Sequence, residues 1–166
     1  MQKITTFLWF NDNAKEAVRF YTSVFKNSKI GRVSYYPDAA AKASGRRARS
    51  VMTIAFKLNG QDFIALNGGP QFKFTEAISL MVHCDTQAEL DRYWKKLTSG
   101  GGKEVECGWL RDKHGLFWQI VPKFIIELIS GKDRAKADRV MEVVMNSVKF
   151  DFKELKEAAK SKPKKL

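Results

Sequence analysis

The sequence predicts an α+β protein built from two tandem βαβββ modules and closed by a C-terminal helical appendix. Three observations predict it. First, one pattern occurs twice: residues 11–25 can be laid on residues 84–98. Asp12 falls on Asp85, Glu16 on Glu89, Arg19 on Arg92, Phe20-Tyr21 on Tyr93-Trp94, and Val24 on Leu97. Second, an apolar strand precedes each copy and apolar strands with turn signals follow it. Third, beyond Pro122 the apolar residues recur at helical spacing. Two copies of one supersecondary unit usually bury a shared core and often a shared cleft. The predicted limits are residues 1–122 for the doubled domain, with modules at about 1–70 and 71–122, and residues 123–166 for the appendix.

The elements follow in order. Ile4 to Phe10 is apolar throughout and reads as a buried strand. Asn11, Asp12 and Asn13 offer N-cap side chains, and Glu16 stands at capping-box spacing from Asn13. A helix then runs to about Phe25, with Ala14, Ala17, Val18, Tyr21, Val24 and Phe25 as its apolar stripe. A strand at Lys29–Tyr36 is followed by a loop from Pro37 to Ala48. Strands at Val51–Leu58 and Gln61–Leu66 are joined by Asn59-Gly60, a strong hairpin signal. Asn67-Gly68-Gly69-Pro70 breaks the chain. The second module reads as a strand at Ala77–Cys84 and a helix at Thr86–Ser99, stopped by Gly100-Gly101-Gly102. Strands near Lys103–Glu106 and Cys107–Asp112 follow, then a turn at His114-Gly115 and a closing strand at Leu116–Val121. The closing strands align as Phe63-Ile64-Ala65-Leu66 with Trp118-Gln119-Ile120-Val121. In the appendix, helices are expected at Phe124–Ile129, at Asp133–Ser147 with Ala137, Val140, Met141, Val144 and Met145 on one face, and after Asp151. So apolar an appendix packs on its own domain or on a dimer partner.

Composition sets the bounds. With 166 residues, 44% hydrophobic, the chain suits a globular domain with a real core. No run approaches the roughly 18 apolar residues of a membrane span. Met1-Gln2-Lys3-Ile4 shows no signal-peptide pattern, and Cys84 and Cys107 are not in a metal-spaced pair. The expectation is a cytoplasmic protein with two reduced thiols. The net charge is +12, with 18 Lys/Arg against 11 Asp/Glu over residues 1–122 and 12 against 7 over residues 123–166. The excess is therefore spread along the chain. It concentrates at Lys42, Arg46, Arg47 and Arg49 and in the tail Lys160–Leu166. Without interleaved exposed aromatics or a zinc pattern, solvated basic surface is the expected reading over nucleic-acid binding.

The doubled pattern, with an aromatic pair late in each helix, resembles the vicinal oxygen chelate superfamily of glyoxalase I and the bleomycin- and fosfomycin-resistance proteins. It is most similar to the PhnB-like branch, often labelled a 3-demethylubiquinone-9 3-methyltransferase domain. The residues carrying the likeness are Ile4–Phe10, Ala17-Val18-Arg19-Phe20-Tyr21, Ala65–Pro70, Phe72-Lys73-Phe74-Thr75, Cys107-Gly108-Trp109-Leu110, Asp112, Gly115, Trp118–Pro122 and Arg139–Met145. The resemblance implies a pair of modules whose curled mixed sheets surround a cleft, assembled as a homodimer.

The superfamily's enzymes hold a divalent metal with His and Glu from the first and closing strands of the modules. The repeat places Thr6 against Ser79 and Ile64 against Gln119 at those positions. None is a good transition-metal ligand, and a shift of one residue in either direction offers no better set. No metal of that type and no cofactor is expected. His83 is a strand-end histidine meeting solvent or, alternatively, a ligand or general base. His114 is a turn residue. Cys107 reads as a structural thiol. The glycine runs are not nucleotide loops by context, so the methyltransferase label finds no support in them. Gln119 is a polar amide inside an apolar strand. Either it serves a structural network or it faces a ligand cavity with Thr6 and Ser79. Asn67, Trp109, Asp112 and His83 sit at strand ends and complete the candidate set. Small hydroxyls, an amide and aromatic walls suit a modest, weakly polar organic ligand in the cleft between the repeats. Whether a reaction follows stays open. The rival readings are a metal-dependent lyase or dioxygenase, a methyltransferase, and a nucleic-acid binder acting through Arg46, Arg47, Arg49 and the lysine tail.

Overall fold

The structure is a computed structural model and describes residues 3–161. The chain divides into two compact units, Met1–Phe74 and Thr75–Leu166. The first contains β1 (Thr6–Phe10), α1 (Ala14–Val24), β2 (Lys29–Tyr35), α2 (Asp38–Ser44), β3 (Val51–Leu58) and β4 (Gln61–Asn67). The second contains β5 (Leu80–Cys84), α3 (Gln87–Thr98), β6 (Lys103–Glu104), β7 (Trp109–Arg111) and β8 (Phe117–Pro122), then α4 (Ile125–Ser130), α5 (Arg134–Asn146) and α6 (Phe152–Lys160).

The two sheets have the same topology, β1-β4-β3-β2 and β5-β8-β7-β6. In each, the first and last strands of the module pair in parallel and the other pairs are antiparallel. One face of each sheet is covered by the module's helix. In the first unit, Leu8, Phe10, Ile54, Phe56, Phe63 and Ala65 meet Ala14, Ala17, Val18 and Tyr21 of α1, all buried. In the second, Cys84, Leu110, Trp118 and Ile120 meet Leu90, Tyr93, Trp94 and Leu97 of α3. Side chains alternate across a strand, so the opposite face, which the module's helix leaves open, carries the residues in between; Phe117 and Val121 lie on that face of the second sheet and are nonetheless buried.

Several expectations are corrected. The first strand begins at Thr6 and is not buried throughout; Ile4 is 89% exposed and Phe7 54%. Only its helix side is covered, so its apolar run serves two faces. Residues expected as loop include α2, about two Ala-rich turns ended by Gly45 in the left-handed conformation. The strand expected from Ala77 starts at Leu80. Asn13 is the N-cap of α1, yet its side chain does not cap the helix. In the second module, Thr86 does cap α3 by accepting from Glu89 N–H, and the Glu89 carboxylate accepts from Asp85 N–H.

The appendix lies within the second unit. Cys107 N–H and Gly108 N–H donate to Ser147 O and Val148 O. Gln87 on α3 donates to Phe150 O and accepts from Phe152 N–H. On α5, Ala137 and Val140 are buried, while Met141 and Met145 stay exposed. Asp151 caps α6 through Lys153 and Glu154 N–H. Of the lysine tail, residues 162–166 lie outside the described residues. Among the described residues no helix is long and apolar enough to cross a membrane.

Gly108 has φ +78°, and a Cβ there would stand 2.3 Å from the Phe150 ring. Gly108→Ala is expected to destabilise the protein by roughly 2–4 kcal/mol in urea unfolding, because it joins backbone strain to an overpacked contact. Burial pushes the Cys84 thiol from an ordinary 9.0 up to about 12, helped by the nearby Glu89 carboxylate. A thiol kept protonated by the fold stabilises the native state below its unfolded value. That contribution is lost as pH rises from about 9 toward 12. At roughly pH 8, iodoacetamide should therefore leave Cys84 unmodified until urea is added, as read by peptide mass spectrometry.

Candidate functional site

Strand register decides which predicted residues meet. In the first module Phe7 pairs with Ile64, and in the second Met81 pairs with Gln119. Thr6 is thus equivalent to Leu80, and Ser79 to Thr5. The expected match of Thr6 with Ser79 is out by one residue. The cause is a strand-to-helix link of three residues, Asn11-Asp12-Asn13, in one copy and two, Asp85-Thr86, in the other. Thr6 pairs with Phe63 on the helix-covered face and does not share a face with Ile64.

Three of the predicted residues come together on the open face of the second sheet. Gln119 stands between Met81 on β5 and Trp109 on β7. Its Nε2 donates to Ser79 Oγ at 2.7 Å. Among the described residues its Oε1 receives no hydrogen bond, which leaves an acceptor available. Trp109 and Gln119 are half-buried, and Met81 is 43% exposed. His83 lies on the same face one pleat beyond Met81, exposed to solvent. Met81 and Arg111 belong to this face but were not anticipated. Period-two spacing from Ser79 and Trp109 is the signal that points to them.

Asn67 and Asp112 stand elsewhere and hold the fold. Asn67 is 4% exposed. Its Oδ1 accepts from Ala14 N–H at 2.9 Å, and its Nδ2 donates to Val51 O at 3.1 Å. Its backbone oxygen accepts from the Tyr36 hydroxyl at 2.7 Å. It thus supplies, from 53 residues away, the acceptor that the first turn of α1 needs. Asp112 is 1% exposed. Its carboxylate accepts from His114 N–H at 2.8 Å, Leu116 N–H at 3.1 Å and Trp118 Nε1 at 2.8 Å. It closes the β7–β8 turn and anchors the buried indole.

The remaining chemistry is tested the same way. The expected ligand positions, with Thr5 replacing Thr6 as the register equivalent of Ser79, hold Thr5, Ser79, Ile64 and Gln119, two hydroxyls, an alkyl group and an amide. Among the described residues no three His, Cys, Asp or Glu side chains gather. This donor set does not fit a transition metal. Gly68 does not cradle a phosphate; a Cβ there would stand 2.3 Å from the Trp9 ring, whose Nε1 donates to Gly69 O at 2.9 Å. In the basic cluster, Arg46 is bound to the Asp12 carboxylate.

Comparison with known proteins agrees with the fold. Residues 2–121 match the family described as 3-demethylubiquinone-9 3-methyltransferase. Among solved structures, the PhnB protein from Bacillus cereus shares 38% identity, with 71% of this chain and 97% of that one covered and a TM-score of 0.62. Protein PA1353 from Pseudomonas aeruginosa shares 19% identity over 71% of this chain and 95% of that one, with a TM-score of 0.55, a likeness of fold. No curated protein matches the chain in sequence. The chain is a protein of two βαβββ-type modules and belongs to the 3-demethylubiquinone-9 3-methyltransferase family, to which the PhnB protein also belongs.

The Asp112 assignment has a direct test. Asp112→Ala strands two turn N–H groups and the Trp118 indole N–H in the interior. It should cost roughly 3 kcal/mol or more, read as a lowered urea midpoint.

Proposed function

We propose that this protein binds a small, weakly polar organic molecule on the open face of its second sheet, without the metal typical of the superfamily. The observation that carries the reading is the Gln119–Ser79 hydrogen bond of 2.7 Å, set between Met81 and Trp109. An amide inside an otherwise apolar strand needs polar partners. Here one amide hydrogen is used by Ser79, which orients the group, and the amide oxygen serves as the acceptor for a ligand. Trp109 supplies a flat apolar wall, and Met81 an adaptable one. A ligand with one N–H donor beside a planar body matches these groups.

The arrangement provides binding and orientation. His83 stands on the same face, diagonal to Gln119 across the β5–β8 pair and exposed to solvent. A methyl-transfer role would need a cradle for the donor's nucleoside, and the glycine segments are occupied by the Trp9 contact and the stop of α3. Ligand recognition is therefore the function the geometry supports best.

The test uses benzamide as a neutral aromatic amide probe in ligand-observed NMR with the full chain. Wild-type protein should bind it, and Gln119→Leu and Ser79→Ala should each weaken binding by about tenfold, the scale of a lost hydrogen bond to an oriented group. Unchanged binding in both variants, or none in the wild type, overturns the reading.

A further inference from the structure

The first module carries a hollow on its sheet. It lies on the open face of the first sheet and has a volume of about 390 Å³. That is within the range of small-ligand sites, roughly 300–1,000 Å³. Register shows why it exists. Ala55 pairs with Ile64 and Lys57 with Asp62, as Trp109 pairs with Gln119 and Arg111 with Phe117. Ala55 therefore takes the place of Trp109, and Asp62 that of Phe117. Two large side chains that cover the second sheet have no counterpart on the first. Gly31 on β2 extends the bare floor. A Cβ there would meet Ala55 O at 3.1 Å and Ala55 Cβ at 3.7 Å, so the two residues lie side by side with no side chain above them.

The rim is charged in an unbalanced way. Lys29 and Lys57 stand directly opposite each other on β2 and β3. Like charges in that position repel. One carboxylate, Asp62, is on the rim and is bound to Lys57. Thr5 adds a hydroxyl from the start of β1. Two ammonium groups against one carboxylate leave a positive charge beside an apolar floor of Gly31, Ala55 and Ile64. The charged row and the apolar row are two residues apart along each strand, about 7 Å at the usual rise.

We propose that this hollow is a second ligand site, for a small organic acid: one carboxylate held between Lys29 and Lys57, and a compact flat body lying over Gly31, Ala55 and Ile64. The anion relieves the Lys29–Lys57 repulsion, and the body covers floor that would otherwise be wetted. Charge-assisted hydrogen bonds of this kind are about twice as strong as neutral ones. The site shares no residue with the Gln119 face and takes the opposite ligand chemistry, an anion where the second sheet takes a neutral donor.

The test is calorimetry on the full chain with phenylacetate and its neutral counterpart, phenylacetamide. Phenylacetate should bind, and phenylacetamide should bind at least about tenfold more weakly. Lys29→Gln, a change at an exposed residue, should weaken phenylacetate by about fivefold or more and narrow its advantage over the amide. Ala55→Leu should abolish binding by filling the floor, with circular dichroism checking that it folds. Gln119→Leu should leave phenylacetate binding unchanged. The proposal fails if acid and amide bind equally, if Lys29→Gln has no effect, if binding is lost in Gln119→Leu instead, or if phenylacetate does not bind at all.

Discussion

The parallel pairing of each module's first and last strands governs everything else in this molecule. β1 on β4 and β5 on β8 bring together segments far apart in sequence. The pairing decides, residue by residue, which side chains enter the helix-covered core and which face outward. A slip of one position exchanges the two sets. Leu8, Phe10, Phe63 and Ala65 on one side, and Cys84, Trp118 and Ile120 on the other, leave little freedom, because each is buried against its helix. With register held by that burial, the open faces follow. Gln119 meets Met81 and Trp109, while Ala55 meets Ile64.

Much of this was legible in the sequence. The doubled βαβββ order, the stripe of α1, the hairpin at Asn59-Gly60 and the cap at Asp151 all stand as local pattern implies. What local pattern did not carry was the number of residues between strand and helix. The helices of the two copies align well, and extending that alignment back across links of unequal length displaced the strands by one. The sequence alignment therefore puts Thr6 on the open face, where the register puts Thr5. Asn67 was misplaced for a different reason. Its partners, Ala14 and Val51, are distant in sequence. Asp112 bonds only to residues two to six positions on, and there a turn-forming role was within reach.

The two modules have kept one scaffold and filled its open faces differently. In the second, Trp109 and Phe117 supply bulk around a single amide. In the first, Gly31 and Ala55 supply none, and charge collects at the hairpin end. The helix-covered faces also differ, with Ala65 against Ile120 and Ile54 against Gly108, yet both stay buried and exclude water. The polar locks follow the same logic. Asn67 and Asp112 are unlike in chemistry and position, yet each satisfies several buried backbone or indole groups with one side chain.

The segment holding α2 separates the partners Phe7 and Ile64 by 57 residues, against 38 between Met81 and Gln119. Chain closure is where that difference registers. By the logarithmic dependence of closure entropy on length, the longer loop costs only about 0.4 kcal/mol more. A helix, its flanking turns and a basic cluster were thus accommodated for less free energy than one good hydrogen bond contributes. The β2–β3 connection is the part of this architecture where sequence is added most cheaply.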